Sequence, residues 1–148
     1  MSSKLPTVAI IGQANVGKSS LFNRLTRSRT AIVAREAGTT RDNVVGKVSY
    51  KRRNVDSTPS DDYSQFWLID TAGLKTAEDE FEATIQDQIA DASAAADVIL
   101  VTVDSTAYPS DADRQLAKKA LKSGKPVILI ANKADLKGSL SIDEFKRL

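Results

Sequence analysis

Residues 12–19 read GQANVGKS and fit the pattern Gly-x-x-x-x-Gly-Lys-Ser, with the apolar run VAII before them and the helical pattern SLFNRLT after them. Glycines in such a loop let backbone N–H groups turn toward phosphate oxygens. The pattern predicts a phosphate-binding loop, in which Lys18 brings a positive charge to the phosphates and Ser19 offers a hydroxyl to Mg²⁺. An ordinary turn before a helix is the alternative, which the flanking patterns disfavour. The nucleotide-binding candidates of this loop are Asn15, Val16, Gly17, Lys18, Ser19 and Ser20.

A second motif, Asn132-Lys133-Ala134-Asp135, follows the apolar run PVILIA. Guanine presents two adjacent donors, N1–H and the 2-amino group, and the carboxylate of Asp135 can accept from both. Adenine would place an acceptor there instead, and an unpaired charge in a closed site is costly. Alone, these residues would be typical of a turn or a helix start. Together with the phosphate loop they predict a site for GTP and GDP, with Asn132, Lys133 and Asp135 as binding residues.

Asp70 and Gly73 belong to a third motif, DTAG, which follows the apolar run FWLI. An aspartate at the carboxyl end of a buried strand faces the crevice in which parallel α/β sheets bind ligands. The pattern predicts that Asp70 holds Mg²⁺ through a water and that the backbone of Gly73 reaches the γ-phosphate. A turn that merely ends the strand is the alternative.

The composition limits the chemistry. The chain has 148 residues, of which 41% are hydrophobic and 27% charged, and this suits one globular domain. It contains no cysteine and no histidine, which excludes disulfides, histidine metal sites and a histidine general base. A net charge of +2 is too small to predict nucleic-acid binding. No apolar run approaches the length of a membrane span, so we expect no membrane partner. We also expect no DNA partner.

Short apolar runs alternate with helical patterns along the chain. They predict strands at residues 7–12, 44–50, 66–70, 97–104 and 126–132 and helices at residues 18–26, 80–93 and 111–123. This alternation is typical of an α/β fold with a mostly parallel, doubly wound sheet and helices on both faces. No helix separates the second and third strands, so we expect them to form an antiparallel pair at the sheet edge. Residues 51–65 between them are predicted to form a solvated loop, with a partner or RNA contact by its Lys-Arg-Arg start as the alternative.

The runs GQANVGKSSLFNRLT, AGTTRD, WLIDTAG and KSGKPVILIANKAD together resemble the translation-associated GTPases of the Era, MnmE and EngA (Der) family, and most closely the first GTPase domain of the EngA type. The resemblance covers residues 7–136. It implies a P-loop NTPase fold and GTP hydrolysis coupled to assembly of the large ribosomal subunit in the bacterial cytoplasm, with the ribosome or rRNA as partner. Two departures are Gln13-Ala14, where the family usually has Arg-Pro, and the DTAG form, which is more typical of the second EngA domain.

The same resemblance assigns roles to Thr40 and Asn15. Thr40 is implied as a Mg²⁺ ligand beside Ser19, and Asn15 as a ligand of an activating K⁺ ion that replaces an arginine finger. Lys18, Thr40 and Asn15 are thus the expected catalytic residues. Leu74 stands where Ras-like enzymes have a water-orienting glutamine, and leucine cannot take that role.

The resemblance also implies a domain that continues beyond Leu148. We expect residues 1–148 to be a single GTPase domain that stops before its sixth strand, which would follow the five predicted above, and before a guanine-supporting loop and a closing helix. The parent protein is expected to have a second GTPase domain and a KH-like domain. Residues 141–144 read SIDE and predict a capped helix start. Two alternatives stay open at this point: a nucleotide-gated binding module with little turnover, and a relative of the tRNA-modifying GTPases.

Overall fold

The computed structural model describes residues 4–13, 16–27, 32–34, 43–53, 59–71 and 85–148. In these ranges the chain forms six strands, three α-helices and one 3-10 helix. In chain order the elements are β1 (Thr7–Gly12), α1 (Lys18–Thr26), β2 (Ile32–Ala34), β3 (Asn43–Arg53), β4 (Pro59–Asp70), α2 (Ile85–Ala95), β5 (Val98–Asp104), α3 (Asp111–Lys122), β6 (Val127–Asn132) and the 3-10 helix Ile142–Phe145.

The strands form one sheet in the order β2-β3-β4-β1-β5-β6. Strands β4, β1, β5 and β6 run parallel, and β3 is antiparallel to both of its neighbours. The predicted sheet, mostly parallel with one antiparallel strand, is therefore confirmed. Because β1 lies between β4 and β5, the chain winds from β1 toward both edges, and a ligand crevice is expected where the winding reverses, at the carboxyl end of β1.

Neighbouring residues of β1 belong to different cores, because side chains alternate between the two faces of a strand. Ile10 packs with Phe22 of α1 on one face. Ala9 and Ile11 pack on the opposite face, which α2 and α3 cover. The buried members on the α1 face are Ile10, Phe22, Val48, Leu68 and Leu100, and those on the other face are Ala9, Ile11, Ala92, Ala96, Ile99, Val101, Leu116, Ala117 and Ala120. This three-layer packing confirms the prediction of helices on both faces.

The predicted position of the antiparallel pair is wrong in one respect. β3 and β4 do pair antiparallel, but they are not the sheet edge, because β2 pairs with the outer side of β3. β2 has three residues, which is too short for a strand to be recognised from the period of its apolar residues.

The prediction of a loop at residues 51–65 is also wrong over most of its length. β3 continues to Arg53 and β4 begins at Pro59, and Lys51 lies opposite Tyr63 in the antiparallel ladder. These polar stretches have no alternation of apolar residues by which a strand could be predicted. Their structure is decided by the hydrogen bonds between β3 and β4. Pro59 is compatible with this strand, because a proline at the first position removes no N–H group that the ladder needs. Residues 54–58 lie outside the described residues.

The helix ends agree closely with the expectations. α1 has the predicted bounds, and α3 ends one residue before the predicted end, with Gly124 in the left-handed region at φ 79°. α2 is described from Ile85 to Ala95, and residues 80–84 of its predicted span lie outside the described residues. The predicted helix start at Ser141 is a single 3-10 turn. None of the helices in the described ranges combines the length and apolar character that crossing a bilayer requires.

Candidate guanine-nucleotide site

The carboxyl ends of four parallel strands bring the predicted motifs to one edge of the sheet. Gly12 ends β1 and Asp70 ends β4, next to it. Asp104 and Asn132 lie opposite each other where β5 and β6 end. Since parallel strands share the direction of their carboxyl ends, the phosphate loop, the DTAG aspartate and the NKAD motif meet there, as the sequence predicts.

Lys18 lies at the centre of the phosphate loop. Its ammonium donates to the carbonyl oxygens of Gly12 at 2.5 Å and Gln13 at 2.8 Å, and the residue is only 7% exposed. Gly17 is the N-cap of α1 in the left-handed region, and no side chain caps this helix within the described residues. The loop therefore presents a positive charge beside a helix N-terminus, which is a suitable environment for phosphate groups.

Ser19 and Asp70, two of the residues predicted to bind Mg²⁺, lie close together. The Ser19 hydroxyl lies 3.4 Å from Oδ2 of Asp70, whose residue is 1% exposed. Thr71 fixes the end of β4, because its hydroxyl donates to the Ile10 carbonyl at 3.0 Å. Mg²⁺ prefers oxygen ligands and usually combines one or two protein groups with waters and phosphate oxygens, so this pair fits it. Among the described residues, no group of three or more His, Cys, Asp or Glu side chains is placed to hold a metal ion.

Asn132 joins the NKAD motif to the phosphate loop. Its side-chain amide donates to the Val16 carbonyl at 2.9 Å, and the Gly17 carbonyl lies 3.5 Å away. A Cβ on Gly17 would lie 2.4 Å from the same amide nitrogen, so this close approach requires glycine. Sequence reasoning assigned Asn132 to the nucleotide, whereas its contact in the structure is with the loop. Asp135 is exposed and has no hydrogen-bonding partner among the described residues, so its carboxylate is accessible to a ligand.

Asp104 holds Lys133 of the NKAD motif. Its carboxylate accepts from the Lys133 ammonium at 2.9 Å, and from the hydroxyl and the backbone N–H of Thr106 at 2.5 and 2.8 Å. The Thr106 hydroxyl, followed by Lys133, lowers the pKa of Asp104 from 3.8 to about 2. The carboxylate therefore stays charged at neutral pH and fixes the lysine side chain, whose residue has a left-handed backbone at φ 64°.

The lowered pKa of Asp104 predicts a loss of stability in acid. A depressed pKa stabilises the folded state above the unfolded value of 3.8, and this contribution disappears as the pH falls through about 2. It amounts to about 2 kcal/mol in the free energy of unfolding. We expect Asp104→Asn to be less stable than wild type at pH 7, with the difference shrinking between pH 5 and pH 2 in urea denaturation.

Asp111→Asn is the matched control for this prediction. The Asp111 side chain is 94% exposed, and its ion pair with Arg114 lies on the surface of α3. We expect a far smaller pH-dependent difference from wild type, because solvent screens exposed pairs. A difference for Asp104→Asn that stayed constant from pH 7 to pH 2 would contradict the assigned role of the carboxylate.

The predicted site residues divide into two groups. The structure brings together those of the loop, the metal pair and the NKAD motif that it describes, namely Val16, Gly17, Lys18, Ser19, Ser20, Asp70, Asn132, Lys133 and Asp135. Asn15, Thr40 and Gly73 lie outside the described residues, so their roles stay predictions. Asp104 and Gln13 were missed. Asp104 carries the signal used for Asp70, an aspartate at the end of an apolar strand, and the same rule would have found it.

Comparison with known proteins supports the prediction of a guanine-nucleotide site at this edge of the sheet. The family model described as 50S ribosome-binding GTPase matches residues 7–133. GTPase Der of Porphyromonas gingivalis is 46% identical over 129 residues, which cover 86% of this chain and 27% of the relative. The chain thus spans little more than a quarter of that relative's length.

Solved structures of GTPase domains share the fold. The G domain of the FeoB iron transporter of T. maritima superimposes with a TM-score of 0.64 and 27% identity, covering 97% of this chain and 82% of that one. Era in complex with MgGDPNP and nucleotides 1506–1542 of 16S ribosomal RNA gives a TM-score of 0.61 and 30% identity, over 93% of this chain and 43% of that one. The architecture is therefore that of P-loop GTPase domains.

Proposed function

The chain belongs to the family described as 50S ribosome-binding GTPase, and we propose that it binds GTP and GDP and hydrolyses GTP to GDP and phosphate. The observation that carries this proposal is the bond of 2.9 Å between the Asn132 amide and the Val16 carbonyl. It joins a base-reading motif to a phosphate loop, so one nucleotide can occupy both. The Era structure with MgGDPNP supports the same class of ligand for the fold.

The described residues suit hydrolysis by positioning and charge stabilisation. Lys18 would neutralise the β- and γ-phosphates, and Ser19 with Asp70 would hold Mg²⁺, directly and through a water. The metal supplies positive charge to the phosphate oxygens when bound. Catalysis in phosphoryl transfer depends mainly on such groups, and this chain contains no histidine that could act as a base. Thr40 is part of the proposal as a further metal ligand.

A competition titration tests the proposed ligand. Fluorescent GDP is bound to the purified chain and competed with GTP, GMP and ATP. We expect GTP to compete at roughly micromolar concentration. ATP should need a concentration at least about a hundredfold higher, because adenine leaves the Asp135 carboxylate unpaired. Equal competition by GTP and ATP would refute base recognition by this chain. Tight binding without measurable turnover would favour the nucleotide-gated binding module.

We include K⁺ in the proposal as an activator held by Asn15. The support is the family resemblance of the phosphate loop, in which positive charge on the transferring phosphate would come from a monovalent cation. The test is GTP turnover in KCl and NaCl at equal ionic strength. Wild type should be faster in KCl, and Asn15→Ala should lose this difference. Equal rates of wild type in both salts would exclude the role.

A switch in biogenesis of the large ribosomal subunit in the cytoplasm is the process we propose for the whole protein. Its support is the family to which residues 7–133 belong and the similarity to GTPase Der. Cosedimentation with large ribosomal subunits tests it: binding should be stronger with a non-hydrolysable GTP analogue than with GDP. Equal sedimentation with both nucleotides would contradict a GTP-dependent switch.

A further inference from the structure

The side chain of Gln13 leaves the phosphate loop and contacts the start of α3. Its amide nitrogen donates to the Ser110 hydroxyl at 2.9 Å and to Oδ1 of Asp113 at 2.8 Å. These partners are 97 and 100 residues away along the chain. Both hydrogens of the amide are used, so the contact is directional and fixes the orientation of the side chain.

Both acceptors are already held by a capping box. Ser110 Oγ accepts from the Asp113 backbone N–H at 3.1 Å, and Asp113 Oδ2 accepts from the Ser110 backbone N–H at 3.0 Å. Reciprocal bonds of this kind fix the first turn of a helix. The Gln13 amide therefore bonds two side chains that the capping box already holds in place.

The backbone of Gln13 contacts the functional lysine of the loop. Its carbonyl oxygen accepts from the Lys18 ammonium at 2.8 Å. Gln13 thus contacts the start of α3 with its side chain and the Lys18 ammonium with its main chain. A displacement of Gln13 would move an acceptor of Lys18, and a misplacement of about 1 Å in such a site can cost about a hundredfold in activity.

We propose that the start of α3 positions the phosphate loop through Gln13, which makes Ser110 and Asp113 positioning residues for the β-phosphate of the bound nucleotide. This inference rests on the proposed function, because it concerns how that same site holds its ligand. Ser110 and Asp113 act through the amide of Gln13 and its carbonyl contact with Lys18. Neither residue belongs to the phosphate loop or the NKAD motif, so neither motif identifies them.

The test compares the affinities for GDP and GMP, which differ only in the β-phosphate. We expect Gln13→Ala to weaken GDP binding about tenfold, since a hydrogen bond to a charged group is lost, and to leave GMP binding within about twofold. Asp113→Ala should do the same. The double variant should be no weaker than Gln13→Ala, because the bond between Gln13 and Asp113 that Asp113→Ala removes is already absent in Gln13→Ala.

Two further variants separate positioning from general destabilisation. Asp111→Ala removes a carboxylate from the same helix turn that bonds Arg114 and not Gln13, so the GDP to GMP ratio should stay that of wild type. Gln13→Arg offers Asp113 a guanidinium, which carboxylates bind well, and should restore the ratio. Equal losses for GDP and GMP in Gln13→Ala, or additive losses in the double variant, would overturn the inference.

Failure of the proposed function would give a different result. If wild type bound neither GDP nor GMP, hydrogen exchange of the Val16 and Gly17 amides in the nucleotide-free chain decides the inference. Exchange should be faster in Gln13→Ala and Asp113→Ala than in wild type and in Asp111→Ala, because the loop loses its support. Unchanged exchange in all variants would overturn it.

Discussion

Gly17→Ala is expected to abolish tight binding of guanine nucleotides. Gly17 has φ 93°, a left-handed conformation that costs alanine about 1–2 kcal/mol. Its Cβ would also lie 2.4 Å from Nδ2 of Asn132, so the amide that bonds Val16 has to move. We expect the shifted loop to lose about two of its backbone N–H bonds to phosphate, which would cost about 3–4 kcal/mol and lower the affinity at least about a hundredfold. The measurement is a titration with fluorescent GDP.

Gly138→Ala is the matched control. Gly138 has nearly the same backbone, φ 90°, but a Cβ there would meet no atom within 4 Å. It carries the strain without the collision, so we expect lower thermal stability and an unchanged dissociation constant for GDP. The difference between the two variants measures the contact between the loop and Asn132. If both variants bound GDP equally well, the close approach would have no functional importance.

Asp135→Asn should change the base that the site prefers. The carboxylate can accept from N1–H and from the 2-amino group of guanine, whereas an amide offers one acceptor and one donor. The donor would face the 2-amino group, and we expect a mismatch of this kind against the bound base to lower GDP affinity by about a hundredfold or more. Xanthine has a carbonyl at that position, so XDP should bind the variant better than it binds wild type. Competition of XDP and GDP against one fluorescent nucleotide measures both effects.

Two controls make the base test specific. Asp135→Ala should lose affinity for GDP without gaining affinity for XDP, because it offers no donor. Asp143→Asn removes a carboxylate from the neighbouring 3-10 helix, where Asp143 pairs with Lys146 at 2.6 Å, and should change neither affinity. If Asp135→Asn retained the GDP preference of wild type, another group would read the base.

The fold was predictable because its central strands are apolar and its loops carry motifs. β1 has the predicted bounds, and β5 and β6 begin within one residue of the predicted starts and end as predicted. β1 and β5 are largely buried, and burial on both faces of a strand requires the continuous apolar runs that identified them. β6 is an edge strand without fully buried residues, and its apolar run identified it all the same. β2 and the outer halves of β3 and β4 were not recognised. Their structure depends on pairing with distant residues, and that pairing leaves no period in a short or polar stretch.

The site was predictable where a short motif carries the chemistry. Lys18, Ser19 and Asp70 meet at the sheet edge as expected, because their spacing from the strand ends is fixed by the chain. Asp104 and the contact of Gln13 were missed. Asp104 bonds Lys133, and Gln13 bonds Asp113 at the start of α3, so each contact depends on which elements the fold brings together.

The sequence by itself determined the α/β class, the phosphate loop and the family. The glycines, the lysine and the strand-end aspartates that identify them form short motifs, which can be recognised without knowing the tertiary contacts. Only the tertiary structure decided that the Asn132 amide bonds the Val16 carbonyl and that α3 supports the loop. Those contacts join residues about a hundred positions apart, and a hydrogen bond needs its two atoms within about 3 Å of each other. Local patterns cannot specify such distances, whereas the register of packed strands and helices does.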